Sequence, residues 1–372
     1  MRGMPVTTAN SPPALYPNSS ANESNRGNYL FPTATGFNVN EARSGATYIY
    51  IAIRRGPMKV PTLGTSVFKP MTTTGDGNSV RSFTGVGFPP DLVFPIMRAS
   101  PGNHYLGDRL RGSPILKTTS TDAENSGYVK SYDQDGWTTQ ADSFGNSFGF
   151  AFIDYLFRRA PGFFDEVCYT GNGNSNRDIN HNLTVIPELF IVKRRSGTAG
   201  SYGSIYDEWN VGLSSEPTWD LNLLDSQAKQ TSNNMWGDVA PTATTFRTGN
   251  SALNNASGNT YVAYLFATCA GVSKVGSYTG NAALRTINCG FTGGARFVLI
   301  KRTDSAGNWF VWDTARGMVA GYSNDPSLAL NTTAAERYSE SVLTIATGFQ
   351  LLASPEEAVN TSSATYIFLA IA

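Results

Sequence analysis

Four stretches of the chain are apolar on consecutive positions and lack any lysine, arginine or glutamate: Ala46–Ile53 (ATYIYIAI), Gly149–Phe157 (GFAFIDYLF), Asn259–Ala267 (NTYVAYLFA) and Ala364–Ala372 (ATYIFLAIA). Short apolar runs bounded by Gly, Asn and Ser read as strands covered on both faces, that is, central strands of a β-sandwich. Aligned on Tyr48, Phe150, Tyr261 and Tyr366, these closing strands recur roughly every 100 residues. Three further runs match one another, Asp91–Arg98 (DLVFPIMR), Glu188–Arg195 (ELFIVKRR) and Arg296–Thr303 (RFVLIKRT). The junctions Cys168–Asn172 (CYTGN) and Ser277–Asn281 (SYTGN) agree as well, and Phe68–Ser79 stands at the corresponding place.

This order predicts an all-β fold of tandem, jelly-roll-like β-sandwich repeats. Each repeat has a short opening strand, an Asn/Gly turn, a hydrophobic strand ending in a base, a variable middle and an aromatic closing strand. The boundaries fall at 1–59 (the C-terminal half of a repeat plus linker), 60–160, 161–270 and 271–372. The closing strand at Tyr48–Ile53 then needs partners from a preceding segment, a neighbouring subunit or the first complete repeat, because an uncovered apolar strand edge invites aggregation. No sustained helical period occurs, and the single expected helical turn is near Asn331–Glu340.

Composition narrows the function. Lys+Arg and Asp+Glu both number 28, and charged residues are only 15% of the 372. That balance gives no long-range attraction to nucleic acid. The longest apolar runs fall short of a membrane span, and the start MRGMPVTTANSPP has no apolar core of a secretion signal. Cys168, Cys269 and Cys289 are too few and uneven for a disulfide framework and read as buried thiols.

Candidate chemistry is sparse. His104 and His181 have no second ligand at metal spacing, although Cys289 replaces His181 in the next repeat. Gly145–Gly149 (GNSFG) fits G-x-S-x-G around Ser147, but a strand-like run follows where a nucleophile elbow requires a helix. Asp133–Gly136 and Asp304–Asn308 resemble pieces of calcium loops without the closing Glu. The acidic pairs Asp165/Glu166, Asp207/Glu208 and Glu356/Glu357 are strand neighbours, which point to opposite faces and do not converge as glycosidase carboxylates would. The expectation is therefore no catalytic, cofactor or metal site. Six N-x-S/T sites (Asn18, Asn22, Asn182, Asn255, Asn331, Asn360) read as turn composition. The candidate surface contacts are Lys193, Arg194, Lys301 and Arg302, which recur at one position and suit either an inter-repeat contact or a solvated strand end. Trp309 and Trp312 join them; three apart on a strand they face opposite sides, one into the core and one free to stack on a sugar.

The phrases YTGNGNSNRDINHNLTVIPELFIVKRR, NTYVAYLFATCAGVSKVGSYTGN and VLIKRTDSAGNWFVWDTARG resemble a repeat family of structural proteins of tailed phages, especially marine and cyanobacterial ones. The resemblance is specific in the last two repeats and weaker over 60–160, where Met97-Arg98 replaces Lys-Arg. It implies a bacteriophage virion protein, made in the host cytoplasm, resembling a tail fibre that contacts the host surface. The alternative role is purely architectural, as capsid decoration, head fibre or tail shaft. Implied partners are other virion subunits, a homo-oligomer with a trimer favoured by analogy with fibres, and a host glycan or protein. Recognition would lie on the variable middles, around 103–145, 196–245 and 304–345.

Overall fold

The computed structural model describes residues 59–372 except 142–143, 197–208, 232–234, 322–324, 339–340 and 354, together with short pieces between residues 13 and 51. The closing segment Tyr48–Ile53 falls almost wholly outside the described residues, so the partial repeat at 1–59 does too. Of the pieces, β1 (Pro13–Ala14) pairs with β2 (Ser24–Asn25), and β3 (Leu30–Pro32) with β4 (Phe37–Val39).

The remainder is antiparallel sheet in three units. Unit one contains β5 (Phe68–Thr74), β6 (Arg81–Phe83), β7 (Leu92–Met97), β8 (Tyr105–Asp108), β9 (Ile115–Lys117), β10 (Val129–Asp133), β11 (Gly136–Thr139) and β12 (Ala151–Phe157). Unit two contains β13 (Phe164–Thr170), β14 (Arg177–Asn180), β15 (Leu189–Arg194), β16 (Trp209–Leu213), β17 (Trp219–Asn222), β18 (Gln230–Thr231), β19 (Thr245–Thr248), the single-turn helix α1 (Ala252–Asn255) and β20 (Thr260–Phe266). Unit three contains β21 (Ser273–Thr279), β22 (Arg285–Asn288), β23 (Phe297–Arg302), β24 (Trp309–Asp313), β25 (Pro326–Ala329), β26 (Arg337–Tyr338), β27 (Val342–Ile345), β28 (Gly348–Leu351) and β29 (Thr365–Ile371). The stretch expected to hold a helical turn, Asn331–Glu340, instead carries the short strand β26.

The large sheets run β5-β12-β7-β8-β9, β13-β20-β15-β16-β17-β18 and β21-β29-β23-β24-β25-β26. The small sheets run β10-β11-β6, β14-β19 and β22-β28-β27. In each unit the closing strand therefore lies between the first and third strands of the large sheet, and the second pairs with the penultimate one in the small sheet. A jelly roll has this crossing; here, however, the fourth and fifth strands extend the large sheet as a meander. The register is matched too, with Phe68 opposite Phe157, Phe164 opposite Phe266 and Ser273 opposite Ile371.

The closing strands are buried on both faces and, apart from the fully buried Asp154 of β12, carry no charged residue. One face packs on the unit's own small sheet: Val93 and Leu156 against Trp137 and Phe144 in unit one, Phe190 and Val192 against Phe246 in unit two, Val298 and Ile300 against Phe349 in unit three. The opposite faces of all three large sheets meet in one common core that includes Phe94, Ile191, Leu299, Tyr155, Tyr264 and Leu369. Burying one such side chain contributes about 1.5–3 kcal/mol. The three units are thus fused around a shared core and are not separate sandwiches joined by linkers.

One alignment is corrected by the register. Phe152, opposite Thr73, stands where Tyr261 faces Tyr169 and Tyr366 faces Tyr278. Phe150 lies two residues earlier, outside the strand and 40% exposed.

Candidate functional site: the polar seams between units

Three contacts of one kind close a ring. The indole N–H of Trp209 in unit two donates to the Lys117 carbonyl of unit one (2.9 Å), and that of Trp309 in unit three to the Asn222 carbonyl of unit two (2.8 Å). In the corresponding position of unit one, His104 places Nδ1 3.3 Å from the Leu330 carbonyl of unit three. Backbone bonds repeat the cycle, from Glu124 N to Arg195 O, Lys229 N to Thr303 O and Glu336 N to Arg98 O. A cycle in which two meets one, one meets three and three meets two is an approximate threefold arrangement within one chain.

Two of the three seams carry the same buried polar cluster. At the seam of units one and two, Tyr264 donates its hydroxyl to Asp108 Oδ2 (2.7 Å), and Arg111 donates Nε to the same oxygen and Nη2 to Leu106 O (3.0 Å). At the seam of units one and three, Tyr155 donates to Asp313 Oδ2 (2.8 Å), and Arg316 donates Nε to that oxygen (2.5 Å) and Nη2 to Val311 O (2.9 Å). Bidentate pairs flank both clusters, Arg195 with Glu124 (2.9 and 3.0 Å) and Arg98 with Glu336 (2.9 and 2.9 Å). Burial works against the charge of Arg111 and Arg316, but Asp108 and Tyr155 with Asp313 override it and hold both guanidiniums above their ordinary range. Burial likewise raises the phenols of Tyr155 and Tyr264, which stay neutral and donate.

The third seam is built differently. Leu369 stands in the register of Tyr155 and Tyr264, and Leu213 in that of Asp108 and Asp313. Three residues on from Leu213, Glu216 replaces the arginine and pairs with Lys229 at 2.6 Å. Lys229 in turn holds the backbone register of Glu124 and Glu336, so the polarity of this pair is reversed. Glu216 and Lys229 both belong to unit two and are half-exposed, so this pair lies along the seam without crossing it.

Lys193 and Lys301, which suited either an inter-repeat contact or a solvated strand end, lie inside these seams. Lys193 and Lys301 are fully buried, and their ammonium groups donate to the neighbouring unit: Lys193 to Thr121 O (3.0 Å), Lys301 to Ser226 O (3.0 Å) and Gln227 O (2.7 Å). Burial pushes Lys301 down to about 8, opposed by Asp225. Arg194 and Arg302 are half-buried and bonded close by in sequence, Arg194 to Ser196 O (2.7 Å) and Arg302 to Asp304 (3.0 and 3.2 Å). Trp309 and Trp312 do face opposite sides, and both are fully buried: Trp309 in the common core, Trp312 in the core of unit three. Neither indole can stack on a sugar. The variable middles are also partly consumed, since Thr118, Thr121, Asn222, Ser226, Leu330 and Glu336 all serve the seams.

The remaining chemical candidates are spent locally. His181 accepts from Leu183 N through Nδ1 (3.2 Å) and places Nε2 3.2 Å from Thr242 O. Burial lowers His104 to about 4, partly offset by its bond to Leu330. Ser147 precedes a turn and strand β12. Asp135 accepts from Gly85 N and Gly87 N, and Asp304 from Arg302 and Thr365 N. Asp165 pairs with Arg159 (2.6 Å), while Glu166 points the other way into the seam, buried with neither oxygen bonded. Glu357 takes the hydroxyls of Ser327 and Ser341, and exposed Glu356 lies 3.8 Å from Arg337. Asp207 and Glu208 lie outside the described residues. Among the described residues no group of three or more His, Cys, Asp and Glu side chains could hold a metal ion, and no helix is long and apolar enough to cross a membrane. Cys168, Cys269 and Cys289 are free, the last two buried.

One repeated device escaped the sequence reading. Asn146, Asn255 and Asn360, all fully buried, each lock the turn after the opening strand. Their Oδ1 atoms accept from Asp76 N, Asn172 N and Asn281 N, and their Nδ2 atoms donate to Asn78 O, Asn174 O and Ala283 O. The signal was available, because each sits six positions before Phe152, Tyr261 or Tyr366.

No curated protein matches the chain. Residues 64–372 match one family as a single stretch spanning all three units. The chain belongs to the family described as Domain of unknown function (DUF7483).

Proposed function

We propose that this protein is a non-catalytic structural component of a tailed-phage particle. The observation that carries the reading is the shared core. Three units whose large sheets bury both faces, tied by polar seams, make a stiff body, and stiffness is what a particle component under mechanical load requires. The resemblance of the repeat phrases to phage structural proteins supplies the particle.

Two placements on the particle follow from that resemblance. In the first, the protein is a tail-fibre-like appendage and its exposed loops contact a host glycan or protein. In the second it is purely architectural. The seam bonds made by Thr118, Thr121, Asn222, Ser226, Leu330 and Glu336 of the variable middles favour the second, because those residues are not free to vary for a receptor. In either placement it would meet other virion subunits, and a trimer of chains is one arrangement for a fibre.

Mass spectrometry of purified particles of the virus that encodes this chain, followed by antibody-labelled electron microscopy, tests the proposal. Expected is the chain in fixed stoichiometry at one place on the particle. A label at fibre tips favours the appendage, and a label on the head or tail shaft the architectural role. Absence from purified particles overturns the proposal, as does release of reducing sugar from host polysaccharide by the purified protein.

A further inference from the structure

The three large sheets do not fill the axis on which they converge. A cavity of about 60 Å³ lies between them, with rings of register-equivalent residues in its wall: Phe94, Ile191 and Leu299 from the third strands, Tyr155, Tyr264 and Leu369 from the closing strands. By size alone this space could take water, which needs about 10–15 Å³. By chemistry it cannot hold water well, because a buried water requires two to four polar partners.

The polar side-chain atoms of the lining residues are all engaged elsewhere. The Tyr155 and Tyr264 hydroxyls donate to Asp313 and Asp108, the Trp209 indole to Lys117 O and the Thr118 hydroxyl to Leu330 O. What faces the void is ring edge, methyl and methylene. Apolar cavities of that kind stay dry and take apolar guests; one of about 150 Å³ lined by Leu, Ile and Phe admits benzene or xenon.

We propose that the axial cavity is a binding site for one small apolar guest: a noble-gas atom, or a hydrocarbon or halocarbon of a few heavy atoms. Its volume is well under the benzene-sized case, so an aromatic ring is excluded. Dispersion supplies the affinity, since the wall atoms facing a void lack contact partners on that side. The site belongs to the whole chain, because all three units contribute to the wall.

Asymmetry of the wall gives the means of closing it. Two closing strands present a tyrosine ring and the third presents Leu369. Leu369→Phe puts an aromatic ring where both other units already carry one, without adding a hydroxyl that would face Leu213.

The test uses xenon as the probe on the full chain, in pressurised crystals and by xenon NMR in solution. Expected are one anomalous peak on the axis between Tyr155, Tyr264 and Leu369, a xenon shift that saturates with pressure, and loss of both in Leu369→Phe. Benzene is expected to give no axial density. If Leu369→Phe does not fold, Leu330→Phe enters from the turn after β25 and gives the same reading, and the wild-type experiment stands without either. Ordered water in the cavity, no xenon peak on the axis, or a peak undiminished in a folded filling variant overturns the proposal.

Discussion

The hydroxyl of Tyr155 donates to Asp313 Oδ2 at 2.8 Å across the seam between the first and third units, and its register counterpart Tyr264 does the same to Asp108 at 2.7 Å between the second and first. Both bonds end on a carboxylate also held by an arginine three residues on. Hydrogen bonds to a buried charge contribute about 1.5–3 kcal/mol each. Tyr155→Phe and Tyr264→Phe are each expected to cost that much in urea unfolding. Leu369→Tyr is expected to destabilise as well, because its hydroxyl would meet Leu213. Phenylalanine variants as stable as the wild type would show that the seams do not depend on these bonds.

Glu166 gives the seam of units one and two a pH response. Its carboxyl is fully buried without a partner for either oxygen, and burial, reinforced by Asp108, Asp91 and Asp165 against Arg159, raises it well above 4.5. The folded state therefore favours the protonated form. Stability present at and below pH 4.5 is lost as pH rises above that value toward the raised one. The melting temperature of the wild type should fall across that range relative to Glu166→Gln, which keeps the shape and cannot ionise. Parallel pH profiles for the two proteins would place the titration elsewhere.

Asn360 accepts from Asn281 N (3.0 Å) and donates to Ala283 O (2.7 Å) and Leu352 O (2.8 Å). Asn360→Ala removes three part-buried bonds and leaves backbone groups unpaired, for an expected loss of about 2–4 kcal/mol. Asn255 and Asn360 both lie in N-x-S/T sites. Because both amides are buried and bonded, a purified oligosaccharyltransferase is expected to leave them unmodified in the folded chain. Glycan on either asparagine under native conditions would contradict the locking role.

Much of the sheet plan was legible. The run of apolar residues through Tyr261–Phe266 and Tyr366–Ile371 marks strands covered on both faces, and that is how they lie. The nature of the cover was not legible, because a continuous apolar run reports that both faces are buried and not which sheet buries each. Gly149-Phe150 mimics a strand entry and so aligns Phe150 with Tyr261 in the sequence; the buried Asn146, six before Phe152, gives the true register. Lys193 and Lys301 follow an apolar run and so resemble strand ends turning to water. Their recurrence also suited an inter-repeat contact, and the neighbouring unit's carbonyls, supplied by residues some 70 positions away in sequence, decide for it. Trp312 was readable as opposite to Trp309, but not as covered by a second sheet.

The shared core makes the three units one cooperative body, and the structural role proposed for the protein depends on that. Differential scanning calorimetry of residues 59–372 at neutral pH tests this most directly. A single transition whose calorimetric and van't Hoff enthalpies agree is the expected result. Tyr155→Phe and Tyr264→Phe, although in different seams, should each shift the whole transition. Two or three separable transitions, each displaced by mutation of only one unit, would mean that the units unfold as independent sandwiches and would contradict the account.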